Sequence, residues 1–451
     1  MNKLPLAIFV ACSLLALPVD AQSRAQLKRE LRTMEKEAKT ADSLMSAAEW
    51  AKEKGLLTDY KRLLNLVLQR EPNHEAAMAG LGFVKHEGEW MLKAKVDQLV
   101  KEKREAEFKA KGLEQVEGVW VAKSEVDDAK AGIFHHGGEL VSRGEKLAFL
   151  EGKVRHPRTG QLIAKEDLAK AEQGMFPAGQ GRWVDLEAAN QHHSNLARPW
   201  VIRSYHATII TTAPLDQAEQ MKQVVDSSIE YVKPLFGSKG NHPKHRPVVV
   251  ACATTDQYRQ VGNTIGAETS VYGAFVAERV PDFESFNFED PPAVANWGEQ
   301  AGWGPYYMRH AAAAAYAQSV ANERKASLPL WLLIGVGSLA ERHYTPGVAA
   351  HFGKQHLTKG GVKDVEDWFA SFEVSADAPD RVEYNVFQAG LVVSFCMRGG
   401  DGDSTRAAQA FTASLDEDAP SVEKAAQELE KVLAEKEVEL RAYLKDVVSG
   451  G

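Results

Sequence analysis

Two apolar segments in the second half of the chain constrain its fold more than anything else in the sequence. The first is Tyr306-Tyr307-Met308-Arg309-His310 followed by the unbroken run Ala311 to Ala315, and the second runs from Leu328-Pro329-Leu330-Trp331 through Ile334-Gly335-Val336-Gly337. Alanine is the strongest helix former, so the first segment predicts a firm helix whose polar face has been deleted. Two such segments read as a tightly packed helix pair, and burying them requires a sizeable core. The chain can supply one: it has 451 residues, 44% of them hydrophobic, and at roughly 150 residues per domain it makes two to three units.

Charge and export signals narrow the class. With 26% charged and 8% aromatic residues the composition is globular, which argues against disorder and collagen-like repeats. Fifty-four basic and 62 acidic residues leave a net charge of −8, so nothing in the overall field supports a nucleic-acid partner. Met1-Asn2-Lys3 and the apolar run from Leu4 to Leu17, followed by Val19-Asp20-Ala21, predict a secretory signal over 1–21, cleaved before Gln22. A lipoprotein reading with Cys12 as the modified residue is the alternative. The expected location is periplasmic or extracellular, with no membrane span in the mature chain. Only Cys252 and Cys396 then remain. That excludes a disulfide-stapled scaffold and leaves one bridge between them as an open option.

The periodicity divides the remainder. Over 22–86 it is helical, with Leu31, Met34, Ala38 and Ala41 in one stripe and Leu56, Tyr60, Leu63, Leu64, Val67 and Leu68 in another. The stretch from Ala48-Glu49-Trp50-Ala51 to Gly55-Leu56, and on through Pro72-Asn73-His74 to Leu81-Gly82, resembles a helical hairpin of a tetratricopeptide-like array. Over 87–197 a Gly-x-Trp-apolar core recurs at Gly88, Gly118 and Gly181, with Gly160-Gln161-Leu162-Ile163 as a variant; the spacings of 30, 42 and 21 residues are too uneven for a propeller. Each copy predicts a glycine turn and a short strand, its tryptophan pinning a hairpin to a neighbouring helix. Over 198–451 the residues from Val201 to Thr211, Pro247 to Ala253 and Val271 to Val280 read as strands, Leu215 to Phe236 as a helix, and everything from Pro305 onward as helical. Strands first and helices afterwards make an α+β domain.

The two apolar helices carry the one sharp resemblance. They are similar to the gluzincin metallopeptidases, in particular the peptidase-MA-like domains of secreted bacterial proteins, a thermolysin-like α+β fold with a mostly helical C-terminal part. In that family a helix bears His-Glu-x-x-His and a second opens Pro-x-Trp-Leu-x-Glu-Gly. Histidines four residues apart share a zinc ion, the glutamate between them activates water, and the later glutamate closes the site. Carried over, the resemblance places His310 at the first histidine, Ala311 at the general base, Ala314 at the second histidine and Ile334 at the glutamate ligand. The framing residues Pro329, Trp331, Leu332 and Gly335 are kept while the chemistry is lost. Tyr384 aligns with a transition-state tyrosine but has no metal-bound oxyanion to stabilise. Glu341 lies seven residues beyond Ile334, roughly 10 Å along the same helix, which is too far to replace that ligand directly. His343, His351 and His356 are the remaining nearby donors.

The expectation is therefore an exported, catalytically inactive metallopeptidase-like protein that binds or scaffolds in the cell envelope. No cofactor is expected, zinc being the one this scaffold would take. The alternatives are an active zinc hydrolase with relocated ligands and a helical protein-protein adaptor. A protein or peptide partner would enter a cleft formed by Trp297, Trp303, Tyr306, Tyr307, Trp331 and Glu341, with Phe283, Phe286 and Phe288 at its border. Asp401-Gly402-Asp403-Ser404 lacks a full calcium ligand set and reads as a turn between helices. His135-His136 and His192-His193 read as exposed loop residues.

Overall fold

The computed structural model describes residues 24–236, 246–265, 272–277, 292–298, 302–323, 325–362, 364–372, 379–399, 402–417 and 419–449. The expected signal sequence, with Cys12, and the three phenylalanines at 283, 286 and 288 lie outside these residues. The chain divides into two units, Met1–Glu114 and Gln115–Gly451.

In the first unit, α1 (Arg24–Glu37), α2 (Ala41–Glu53), α3 (Leu57–Arg70) and α4 (Glu75–Gly80) precede a hairpin of β1 (Phe83–His86) and β2 (Glu89–Leu92) and the long helix α5 (Lys93–Ala110). Helix α2 starts at a reciprocal cap: Thr40 Oγ1 accepts from the Ser43 amide and Ser43 Oγ accepts from the Thr40 amide. Its stripe of Leu44, Ala47, Ala48 and Ala51 closes a small core with Tyr60, Leu63, Leu64 and Val67 of α3. Helix α5 buries no residue, in keeping with its Lys- and Glu-rich sequence.

Hairpins followed by helical turns continue along the chain. They comprise β3 (Leu113–Val116) and β4 (Val119–Ala122) with α6 (Val126–Lys130), then β5 (Phe134–His136) and β6 (Glu139–Val141) with α7 (Arg143–Leu150). Next come β7 (Val154–Arg155) and β8 (Leu162–Ile163) with α8 (Leu168–Glu172), and finally β9 (Phe176–Pro177) and β10 (Trp183–Val184) with α9 (Leu186–His193). The repeat is more regular than the tryptophan pattern suggests. Gly138-Glu139-Leu140-Val141 is a copy without tryptophan, and it divides the 42-residue interval into 20 and 22. The turns explain the glycines: Glu87 and Gly88, like Gly137 and Gly138, are consecutive residues at positive φ, the conformation that matches hairpin twist in a two-residue turn.

This repeat also corrects the reading of the paired histidines. His135 and His136 sit on strand β5, paired with Leu140 and Glu139, and the His136 ring stacks on Phe149 at 3.9 Å. His192 and His193 form the last turn of α9, with His193 stacked on Trp200 at 4.0 Å.

The main domain is α+β. Strands β11 (Trp200–Arg203), β12 (Thr208–Thr211), β13 (Val248–Cys252), β14 (Ala274–Val276) and β15 (Ala293–Asn296) form one mixed sheet in the order β11-β12-β13-β15-β14. The outer pairs are antiparallel and the two inner pairs parallel. Strand alternation sorts the side chains: Ile209, Val249, Ala251 and Ala293 face the main core, while Ile210, Val250, Cys252 and Val294 face Tyr258 and Val261 on the other side. Helix α10 (Ala218–Phe236) contributes to the first face, and Tyr258 and Val261 belong to α11 (Thr255–Ile265) on the second.

The run expected as one strand from Val201 to Thr211 turns back on itself at Ser204–Ala207. Ser204 Oγ accepts from the Ala207 amide, and the Asp226 carboxylate accepts from the amides of Tyr205 and His206. Within the expected strand from Val271 to Val280, the described part is 272–277 and holds β14.

Beyond the sheet the described chain is helical: α12 (Gly304–Glu323), α13 (Leu330–Tyr344), α14 (Pro346–Thr358), α15 (Val365–Ala370) and α16 (Pro379–Ser394), then a π turn over Phe395–Gly399, and last α17 (Gly402–Ser414), α18 (Ala419–Ala434) and α19 (Glu437–Ser449). Among these described residues no helix is long and apolar enough to cross a membrane.

Candidate functional site

Helices α12 and α13 are the two apolar segments of the sequence, and both are buried on nearly every side. Glycines let α13 approach its neighbours: a Cβ on Gly335 would stand 2.7 Å from the Ala389 carbonyl oxygen of α16, and one on Gly337 would stand 2.6 Å from the His310 ring of α12. The Gly-x-Gly of the second segment thus serves close helix contact.

His310 meets Glu341, not Ile334. The imidazole Nδ1 lies 2.9 Å from Glu341 Oε1, with both side chains fully buried. The contact has ion-pair distance without hydrogen-bond alignment, and Nε2 has no hydrogen-bond partner among the described residues. The expectation that Glu341 is out of reach is overturned by where the helix pair turns. His310 lies 13 positions before the end of α12, and Glu341 lies 11 positions into α13, whereas Ile334 is only four positions in. Positions at similar distances from the turn meet, so the 24-residue separation from His310 leaves Ile334 too near the connection.

Two tyrosines complete the cluster. The Tyr272 hydroxyl donates to Glu341 at 2.7 Å from each carboxylate oxygen, and its ring lies 5.3 Å from that of His310. Burial, reinforced by the Glu341 carboxylate, pushes Tyr272 and Tyr306 well above the ordinary tyrosine range, so both hydroxyls keep their protons and can donate. Tyr272 is the member that sequence reasoning missed, because it comes from 69 positions away and no local motif marks it.

The remaining predicted residues fall in several places. Ala311, Ala314 and Ile334 are buried apolar positions of the core. Trp303, Tyr306 and Tyr307 form a ring cluster with centroids 5.2–6.3 Å apart, Tyr306 edge-on to both of the others, and Tyr307 meets Tyr272 at 5.3 Å. Trp297 is buried, its indole donating to Gln217 Oε1. Trp331 stands at the opposite end of α13 from Glu341 and donates to Glu430 Oε1 at 2.6 Å; it lines an apolar cavity of about 380 Å³ with Leu332 and Val336. Tyr384 donates to the Gly361 carbonyl at 3.0 Å and packs on His356 at 4.2 Å.

The other histidines do not gather at His310. His343 stacks on Tyr231 at 3.9 Å, and His351 contacts Gln355 at 3.0 Å. Among the described residues, no group of three or more His, Cys, Asp or Glu side chains is placed to hold a metal ion. A zinc ion does not fit the described residues: among them His310 and Glu341 are two donors where protein zinc sites use at least three, and Tyr272 already occupies both Glu341 oxygens.

Cys252 and Cys396 are free and buried, which closes the disulfide option. Gly402-Asp403-Ser404 opens α17, and Asp403 pairs with Arg406 and Lys436; Asp401 lies outside the described residues. Comparisons with protein-family models, with curated proteins and with solved structures find no match to this chain.

Proposed function

We propose that the chain is an exported, non-catalytic protein that binds or scaffolds in the cell envelope. Its main domain is read as a gluzincin-like scaffold whose metal chemistry has been replaced by packing, and the helical first unit as tetratricopeptide-like. The observation that carries this reading is the buried His310–Glu341–Tyr272 cluster. The base position is Ala311, and the two lost ligand positions are Ala314 and Ile334, all without ionisable side chains. A general base must reach water or substrate, yet Glu341, the carboxylate beside His310 among the described residues, is fully buried and engaged by tyrosine. Such an arrangement holds helices in register.

Incubating the purified mature chain with a diverse peptide library, with and without added zinc, tests this. The expected result is no cleavage above background in either case. Zinc-dependent cleavage that disappears in His310→Ala would overturn the reading.

A further inference from the structure

A cavity of about 400 Å³ lies between the β5–β6 hairpin and the edge of the main sheet; Tyr316 of α12 reaches it from the helix pair, but it does not rest on the reading above. Its lining includes Arg203, Tyr205 and His206 from the turn after β11, Lys233 of α10, Arg246, and Leu140 of β6.

The charges around it are paired directly, with one exception. Glu145 pairs with Arg155 at 3.1 Å and also with Arg203, while Glu139 lies 3.7 Å from Arg155 and 3.5 Å from Arg203. Lys146 has Glu125 at 3.2 Å, and Glu230 is shared by Lys233 and His206. Arg246 alone has no carboxylate partner among the described residues. Its Nη1 donates to two backbone carbonyls, those of Ser204 at 3.1 Å and Tyr205 at 2.6 Å, which orient the guanidinium without neutralising it.

Burial lowers Arg246 to about 10, and the cations of Arg203 and Arg155 add to the effect against the opposing pull of Glu145 and Glu139. The same burial holds His206 below the ordinary histidine range despite Glu230 and Asp226, so at neutral pH it offers a ring nitrogen and no further charge. Asp226 is engaged by the amides of Tyr205 and His206, so the Arg246 guanidinium stands without a direct ion pair at the wall of a small cavity that also presents Leu140, Pro247 and Tyr316. A guanidinium is the side chain best suited to a planar oxyanion.

We propose that this cavity binds a small organic carboxylate, its anionic end on Arg246 and its apolar body along Leu140, Pro247 and Tyr316. One guanidinium without a direct ion pair, in a cavity also lined by the Glu139 carboxylate, favours a monoanion over a phosphate dianion, and the volume admits a molecule of small-metabolite size.

Calorimetric titration of the full mature chain with benzoate, its neutral isostere benzamide, and inorganic phosphate tests the proposal. Benzoate is expected to bind saturably and at least about tenfold more tightly than either of the others, since a charge-assisted hydrogen bond is lost with benzamide. Arg246→Gln should reduce benzoate affinity at least about tenfold. Because Arg246 also ties the Ser204–Tyr205 turn, Lys233→Gln, which keeps both Arg246 bonds to that turn, provides a second variant with an expected loss of about twofold to fivefold. Equal binding of benzoate and benzamide, preference for phosphate, or no saturable benzoate binding to the unaltered chain would each overturn the proposal.

Discussion

Gly337 carries no side chain, and the imidazole of His310 fills the space where its Cβ would stand. The ring is rigid and fully buried, so Gly337→Ala forces a shift in one helix. Overpacking of this kind costs about 1–3 kcal/mol and outweighs the helix propensity gained. Urea unfolding should show that loss. Glu341→Ala is more severe, because it removes the acceptor of the Tyr272 hydroxyl and the carboxylate beside the buried His310 ring; a loss of about 3 kcal/mol is expected. His156 offers a different test. Its Nδ1 accepts from the amides of Arg158 and Thr159, so Nε2 carries the hydrogen and donates to the Met175 carbonyl at 3.1 Å. Burial holds this histidine below its ordinary range, with Arg158 adding to the shift and the Met175 bond opposing it. The unfolded chain therefore binds the proton first as pH falls, and stability intact above about pH 6.5 is lost as the pH drops toward the folded value. The urea midpoint should fall between pH 7 and pH 5, less steeply in His156→Gln.

At the scale of elements, the hairpins and the helix pair were legible to different degrees. Glycine followed two residues later by tryptophan marked three turns correctly, because consecutive positive φ angles leave few residue choices. The Gly138 copy, which like the Gly160 copy has leucine in place of tryptophan, was not read from the sequence, and the physical signal is the turn and not the ring. Gly181→Ala isolates that signal. Gln180 and Gly181 both have positive φ, and a Cβ at 181 meets nothing within 4 Å, so the cost is conformational alone, about 1–2 kcal/mol. Thermal unfolding of the variant measures it. The helix pair was visible from Ala311 to Ala315 and from Trp331 to Gly337, but its register was not. A sequence states how far His310 and Ile334 are apart along the chain; only the position of the turn between helices decides that Glu341 is the residue facing His310. Tyr272 was beyond reach for a similar reason, since it enters from the sheet side of the domain.

For the whole molecule, the α+β order of strands and then helices was readable from apolar periodicity, while the mixed strand order was not. The turn at Ser204–Ala207 shows why: Asp226, twenty residues on, supplies the acceptor that folds the run back. The two thiols sit deep in this architecture. Burial pushes both Cys252 and Cys396 up to about 12, so neither should react with a thiol reagent in the native state, and both should react in urea. Modification of either one before unfolding would contradict the packing described. The central claim is that the His310 cluster is a packing device in a protein that binds or scaffolds without metal chemistry. Equilibrium zinc titration of the purified mature chain, with the bound metal counted per chain, tests it most directly. The account predicts substoichiometric zinc that is unchanged by His310→Ala; one tightly held zinc per chain, lost in that variant, would contradict it.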